Sequence, residues 1–158
     1  MIQHIDSALL DAVTAEARQS PRGRKNRNFH GDDRQPAHRL LNAIEPGSYI
    51  MPHRHLDPNK DETMLVLRGT LGLLTFDETG TIVDAVKVSH GGTPMGVDIP
   101  HGTWHTVFAL EPGTVFFEAK AGPYLPLTDD EKALWAPAEN APNAAAVLAG
   151  WVALLAGR

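Results

Sequence analysis

The sequence predicts an all-β fold, an antiparallel sandwich or barrel with a helix at each end. Between residues 38 and about 120 the chain is cut into short apolar runs separated by Gly, Pro, Asp and Asn turn signals, the pattern of many short antiparallel strands. Before that stretch, Leu9, Leu10, Val13 and Ala17 recur at helical spacing behind Ser7 as an N-cap. After it, the run 144–157 carries an apolar stripe of Val147, Leu148, Trp151, Val152 and Leu155.

The elements follow in order. Residues 7–19 form the first helix. Residues 21–38, "PRGRKNRNFHGDDRQPAH", are polar and broken by Pro and Gly, and read as a loop. Strands are expected at "HRLLNAI", "YIMPHRH", "ETMLVLRG", "TLGLLTF", "TIVDAVKVS", "MGVDIP", "WHTVFAL" and "TVFFEAK". Thr128 followed by Glu131 makes a capping box for a helix over "DDEKALWA" that Pro137 stops. The apolar run after Asn143 is a second terminal helix, and packing on its own domain is favoured over a dimer contact. At 158 residues the chain is one domain: an N-terminal helix and basic loop (1–37), a β core (38–120) and a C-terminal helical segment (121–158).

Composition removes several functions. There is no cysteine, so disulfides and thiolate sites are excluded and any metal is held by nitrogen and oxygen. A formal net charge of −5 gives no field that draws in nucleic acid or an anionic membrane. The N-terminus lacks a basic region followed by an apolar core, and the 14-residue apolar run near the C-terminus is too short to span a bilayer. A cytoplasmic protein with a small-molecule partner is the expectation.

The chemistry gathers at Pro52-His53-Arg54-His55. On an extended chain His53 and His55 project to one face, roughly 6–7 Å apart, with Arg54 turned the other way. A metal ion over that face accepts both rings at about 2.1 Å. Glu62 opens the next strand, and His105 follows the Pro100–Gly102 turn at the mouth of another. Three neutral imidazoles and a carboxylate suit one divalent transition metal, Zn, Ni, Fe or Mn, with positions left for water or substrate. Trp104, adjacent to His105, is expected on the opposite face, packed between sheets or against a terminal helix.

These segments resemble the two motifs of the cupin superfamily. Gly47, His53, His55, Glu62 and Gly69 match the first, and Pro100, Gly102 and His105 match the second. The spacer from His55 to Glu62 is six residues, longer than the usual three or four. Gly96 lies nearer Pro100 than the usual glycine, and Ala109 replaces a frequent Asn. Beyond the motifs, "RGRKNRNFH", "PGSYIMPHRH", "IPHGTWHTV", "FEAKAGPYLP" and "WAP" look like the WbuC family of cupin-fold metalloproteins. That resemblance implies a double-stranded β-helix, the jelly roll, around a metal. It also implies a link to surface-polysaccharide (O-antigen) biosynthesis, and it supplies no settled reaction. A homodimer is expected from the fold family and the apolar C-terminal helix.

Substrate contacts are sought among basic and polar side chains. Arg24, Arg27 and His30, within a run that also holds Arg22 and Lys25, offer forks for phosphate or carboxylate. Arg34 is placed at the barrel mouth. Lys120 and Tyr124 are expected to face a ligand, with a surface pair of Glu118 and Lys120 as the competing reading. His4, His90 and His101 are read as surface residues. The leading expectation is a metal-dependent isomerase, epimerase or dioxygenase acting on a sugar or nucleotide-sugar. The alternatives are a non-catalytic sugar-binding module and a metal-free epimerase with a histidine base; a cluster of three histidines argues against the last.

Overall fold

The computed structural model describes residues 1–157. Its elements run α1 (Ser7–Gln19), β1 (Arg24–Asn28), β2 (Ala37–Ile44), β3 (Glu62–Arg68), β4 (Thr70–Phe76), β5 (Ile82–Ser89), β6 (Gly96–Ile99), β7 (Trp104–Ala109), β8 (Thr114–Ala121), a 3₁₀ turn at Asp129–Glu131 and α2 (Ala144–Ala156). Two antiparallel sheets, ordered β1-β2-β8-β3-β6 and β5-β4-β7, face each other as a jelly roll.

Alternation along each strand sends residues to three separate apolar layers. Between the sheets lie Ile44, Met64, Val66, Leu71, Leu73, Val88, Ile99, Val107 and Phe116. On the outer face of the larger sheet, Leu41, Ala43 and Val115 receive Leu10, Val13 and Ala17 of α1. On the outer face of the smaller sheet, Leu74, Phe76, Trp104 and Phe108 receive Leu148, Trp151 and Leu155 of α2. The C-terminal helix therefore spends its apolar stripe on its own domain. Gly72 permits this close approach: a Cβ there would stand 2.6 Å from the Phe108 ring and 2.8 Å from Leu155.

The sequence-based expectations differ from the structure at four places. The N-cap of α1 is Asp6, whose side chain accepts a hydrogen bond from Leu9 N–H at 2.9 Å, and Ser7 is the first helical residue. The basic stretch expected as loop contains β1, an edge strand paired residue by residue with β2 from Arg24↔Ile44 to Asn28↔Leu40. Its sequence, RKNRN, hides the strand because both faces are polar: one looks into the barrel and the other to α1 and water. The "YIMPHRH" segment is extended but forms only single bridges, from His53 to His105 and to Lys132. The helix expected over "DDEKALWA" is one 3₁₀ turn. Glu131 does accept Thr128 N–H at 2.9 Å, as the capping box requires. Its carbonyl, however, accepts from Arg54 N–H at 3.0 Å, and Ala133 N–H donates to the Pro52 carbonyl at 3.0 Å. The backbone groups needed to extend a helix are consumed in pairing with the histidine segment.

Candidate metal centre

Three different elements bring the site together. His105 sits second in β7, where alternation points it into the barrel while Trp104 packs outward against α2 and its neighbours. The extended segment before β3 is locked to β7 by reciprocal backbone bonds, His53 N–H to the His105 carbonyl at 3.0 Å and His105 N–H to the His53 carbonyl at 2.9 Å. Arg54, between the histidines, lies on the other side. Its guanidinium stacks 4.3 Å from the centre of the Trp104 ring and bonds Glu78 at 2.9 Å. Glu62 opens β3 and is almost fully buried. The long spacer does not displace it, because the extra residues close a turn at 57–60 in which Asp57 accepts from Asn59 N–H and Lys60 N–H bonds the Asp57 carbonyl.

Ligand atoms of His53, His55 and Glu62 lie within 4.8 Å of one another. His105 Nε2 stands 2.9 Å from Glu62 Oε2, and His55 Nε2 stands 3.2 Å from Glu62 Oε1. Neither contact has hydrogen-bond alignment, so His55 Nε2, Glu62 Oε2 and His105 Nε2 are buried without a hydrogen-bond partner. Orphaned donor-set atoms converging on one space are what a bound cation resolves. The tautomers agree. His53 Nδ1 is 3.2 Å from the Met51 carbonyl and His105 Nδ1 is 2.9 Å from that of Thr103. A carbonyl only accepts, so each Nδ1 holds the proton and each Nε2 presents its lone pair to the cluster. Burial pushes the His53 ring down to about 3, so it stays neutral and ligand-competent. Burial works to raise the Glu62 carboxyl, but its polar contacts with its neighbours, the Lys120 ammonium among them, outweigh it and hold Glu62 well below its usual range. The donor set fits a divalent transition metal.

Behind Glu62 lies a second layer of charge. Lys120 Nζ is 3.0 Å from Glu62 Oε1 and 2.7 Å from Glu118 Oε1, and Asn42 donates to Glu118 Oε2 at 2.6 Å. Burial alone would lower the Lys120 ammonium, but the two carboxylates together raise it above its ordinary value. Burial raises the Glu118 carboxyl against the pull of Lys120. Glu118 and Lys120 are therefore an interior pair and not a surface one. Asn42 and Glu118 went unpredicted as site residues, and the signal available was two polar residues at inward positions of buried strands.

A cavity of about 370 Å³ adjoins the cluster, lined by His53, Glu62, His105, Lys120, Glu118 and Arg24 among others. Arg24 is gathered with Arg22 around Glu139 of the C-terminal segment, bonding Ser48 Oγ and the Tyr49 carbonyl as well. Burial, and then Arg22, push Arg24 down to about 10, which leaves it charged. Arg27 falls on the outer face of β1, with Glu16 of α1 3.9 Å away; strand alternation removes it from the cavity. Arg34 is exposed and bonds Asp32 in its own loop, so it does not reach the barrel. His30 is buried and stacks on His38 with ring centres 4.0 Å apart. Both line a further cavity with Lys120 and the exposed Tyr124. His4, His90 and His101 are exposed, and His101 pairs with Asp61 at 2.8 Å.

Comparisons with known proteins agree at the level of the fold. Among solved structures, KdgF from Halomonas sp. superposes with a TM-score of 0.50 at 20% identity, over 70% of this chain and 86% of its own. The conserved SPY1581 protein of unknown function from Streptococcus pyogenes gives 0.53 at 14% identity, over 79% and 91%. No curated protein matches in sequence. At these identities the likenesses show the jelly-roll fold alone, and they do not reach the WbuC family suggested by the motifs. Residues 5–88 match the model of a family described as a domain of unknown function (DUF6016). The chain belongs to that family, and its architecture is the cupin jelly roll.

Proposed function

We propose that the protein is a metal-dependent enzyme acting on a small polar molecule held in the barrel. The observation that carries this reading is the convergence of three buried, hydrogen-bond-orphaned atoms, His55 Nε2, Glu62 Oε2 and His105 Nε2, with Glu62 and His105 lining the 370 Å³ cavity. His53, His55, Glu62 and His105 would hold the ion, which supplies a Lewis acid for a carbonyl or hydroxyl oxygen. The chain's own residues do the rest. The Met51 and Thr103 carbonyls fix the His53 and His105 rings, and Lys120 fixes the Glu62 carboxylate. The interior polar wall of Asn42 and Glu118 offers hydrogen bonds to hydroxyl groups, and apolar Met64, Val107 and Phe116 limit water on the remaining walls.

Within that frame a sugar or nucleotide-sugar is the substrate class proposed, with isomerisation, epimerisation or oxygen chemistry set by the resident metal. The motif resemblance to WbuC proteins supports a place in surface-polysaccharide assembly. The test is turnover of a nucleotide-sugar and sugar panel by the protein as purified and after loading with Zn, Mn or Fe(II). Metal-dependent conversion that disappears in His105→Ala is expected. Tight binding with no conversion under any metal would replace the enzyme by a sugar-binding module.

A further inference from the structure

Lys60 is buried beside the metal centre and forms no ion pair among the described residues. It closes the turn that precedes β3 and is 9% exposed. Its Nζ donates to one acceptor, the Pro123 carbonyl at 2.9 Å. An ammonium carries three donors, and the protein engages one of them. The acids nearby in sequence make their hydrogen bonds elsewhere, and Asp57 acts on Lys60 only through space. Asp57 accepts from Asn59, and Asp61 binds His101 through both its ring and its N–H. The other amine of the region, Lys120, is already held by Glu62 and Glu118. A desolvated, unpaired charge is costly, and it calls for a counter-ion.

The space for one is present. A cavity of about 200 Å³ lies beneath the 121–127 segment and is lined by Lys60, His38, His53, His55, Lys120 and Tyr124. It shares His53 and Lys120 with the barrel cavity, so whatever fills it is next to the metal ligands. We propose that this cavity is an oxyanion site anchored by Lys60, which takes a carboxylate or a phosphate. An oxyanion there completes the ammonium's hydrogen bonds and neutralises it, and the Tyr124 side chain closes the outer side. That the oxyanion belongs to the substrate of the metal centre rests on the reading above; that Lys60 binds one does not. On that reading the substrate is an acidic molecule, with its charged group placed by Lys60.

Calorimetric titration of the metal-depleted full chain with malonate and with inorganic phosphate, at constant ionic strength, tests this. One equivalent of at least one probe is expected to bind, with affinity at least tenfold weaker in Lys60→Met and restored to within threefold in Lys60→Arg. Binding of malonate alone assigns a carboxylate, and of phosphate alone a phosphate. Failure of both probes to bind, or equal affinity in Lys60→Met, overturns the proposal. Should Lys60→Met not fold, wild-type crystals soaked in selenate decide. An anomalous selenium peak within hydrogen-bond distance of Lys60 Nζ supports the site, and its absence there overturns it. Metal stoichiometry measured before depletion reports on the metal centre separately, since His105→Ala, whose ring does not line this cavity, is expected to lose metal and keep the anion.

Discussion

Glu62 stands between two demands that pull in opposite directions. As a ligand it must be ionised, and as the first residue of a buried strand it is out of water. The Lys120 ammonium reconciles the two, and is itself shared with Glu118. Removing that cation leaves two buried carboxylates facing each other. Lys120→Met is expected to destabilise the metal-free protein by about 3–5 kcal/mol, the scale of breaking a buried pair from one side. Adding Glu118→Gln should recover part of the loss, because the second uncompensated charge goes with it. Urea unfolding of the two variants measures both effects, and a single variant as stable as wild type would contradict the charge account. Much of this site was legible in the sequence: the H-x-H spacing and the Pro-x-Gly-x-x-His turn placed His53, His55 and His105, and the turn at 57–60 lets Glu62 arrive despite the long spacer. Lys60 was not legible. A lysine between Asp57 and Asp61 reads as solvated, and only the fold shows it buried, with both acids hydrogen-bonded to other partners.

At the scale of elements, two contacts invite measurement. The β1–β2 connection carries the His30–His38 stack, and His38 Nε2 lies 3.2 Å from the Asp33 carbonyl. Burial, then His30, hold His38 below its ordinary value, with Lys120 adding to the effect and the Asp33 carbonyl opposing it. The unfolded chain takes up this proton near pH 6.5, whereas the folded chain takes it up only at lower pH. Stability from this residue is therefore full at and above neutral pH and falls as pH drops below about 6.5. His38→Phe, which keeps the stack without the titration, should flatten the slope of unfolding free energy between pH 7 and 5. An unchanged slope would remove His38 from the pH response. The second contact is α2 on the smaller sheet, where Trp151 stacks on Tyr49 with ring centres 5.5 Å apart and lies 6.1 Å from Phe108. Trp151→Ala is expected to cost about 3–5 kcal/mol, read from chemical denaturation. Metal stoichiometry should be unchanged, because the metal ligands lie on the inner side of that sheet. The stripe of α2 was readable because one face alone is buried. The edge strand β1 was not, since no apolar alternation marks a strand whose inner face lines a polar cavity.

The whole molecule is four layers, helix, sheet, sheet, helix, in which the apolar clusters on either outer face leave the barrel interior free to be polar at one end. No helix among the described residues is long and apolar enough to cross a membrane. The rigid part of the account is the cage of backbone bonds that ties the histidine segment to β7 on one side and to residues 131–133 on the other. The fold class and seven of the strands followed from turn spacing and alternation. The cage did not, because it joins residues about fifty and about eighty positions apart through lone bridges that no local pattern announces.

The central claim is that His53, His55, Glu62 and His105 hold one divalent metal. Elemental analysis of the protein purified without an affinity tag, alongside folded His53→Ala and Glu62→Gln, measures this directly. One transition-metal ion per chain is predicted for the wild type, with stoichiometric metal lost in His53→Ala and weakened retention in Glu62→Gln. A wild-type protein that stays folded yet carries no metal and takes up none on incubation, or a His53→Ala variant that keeps its ion, would contradict the account.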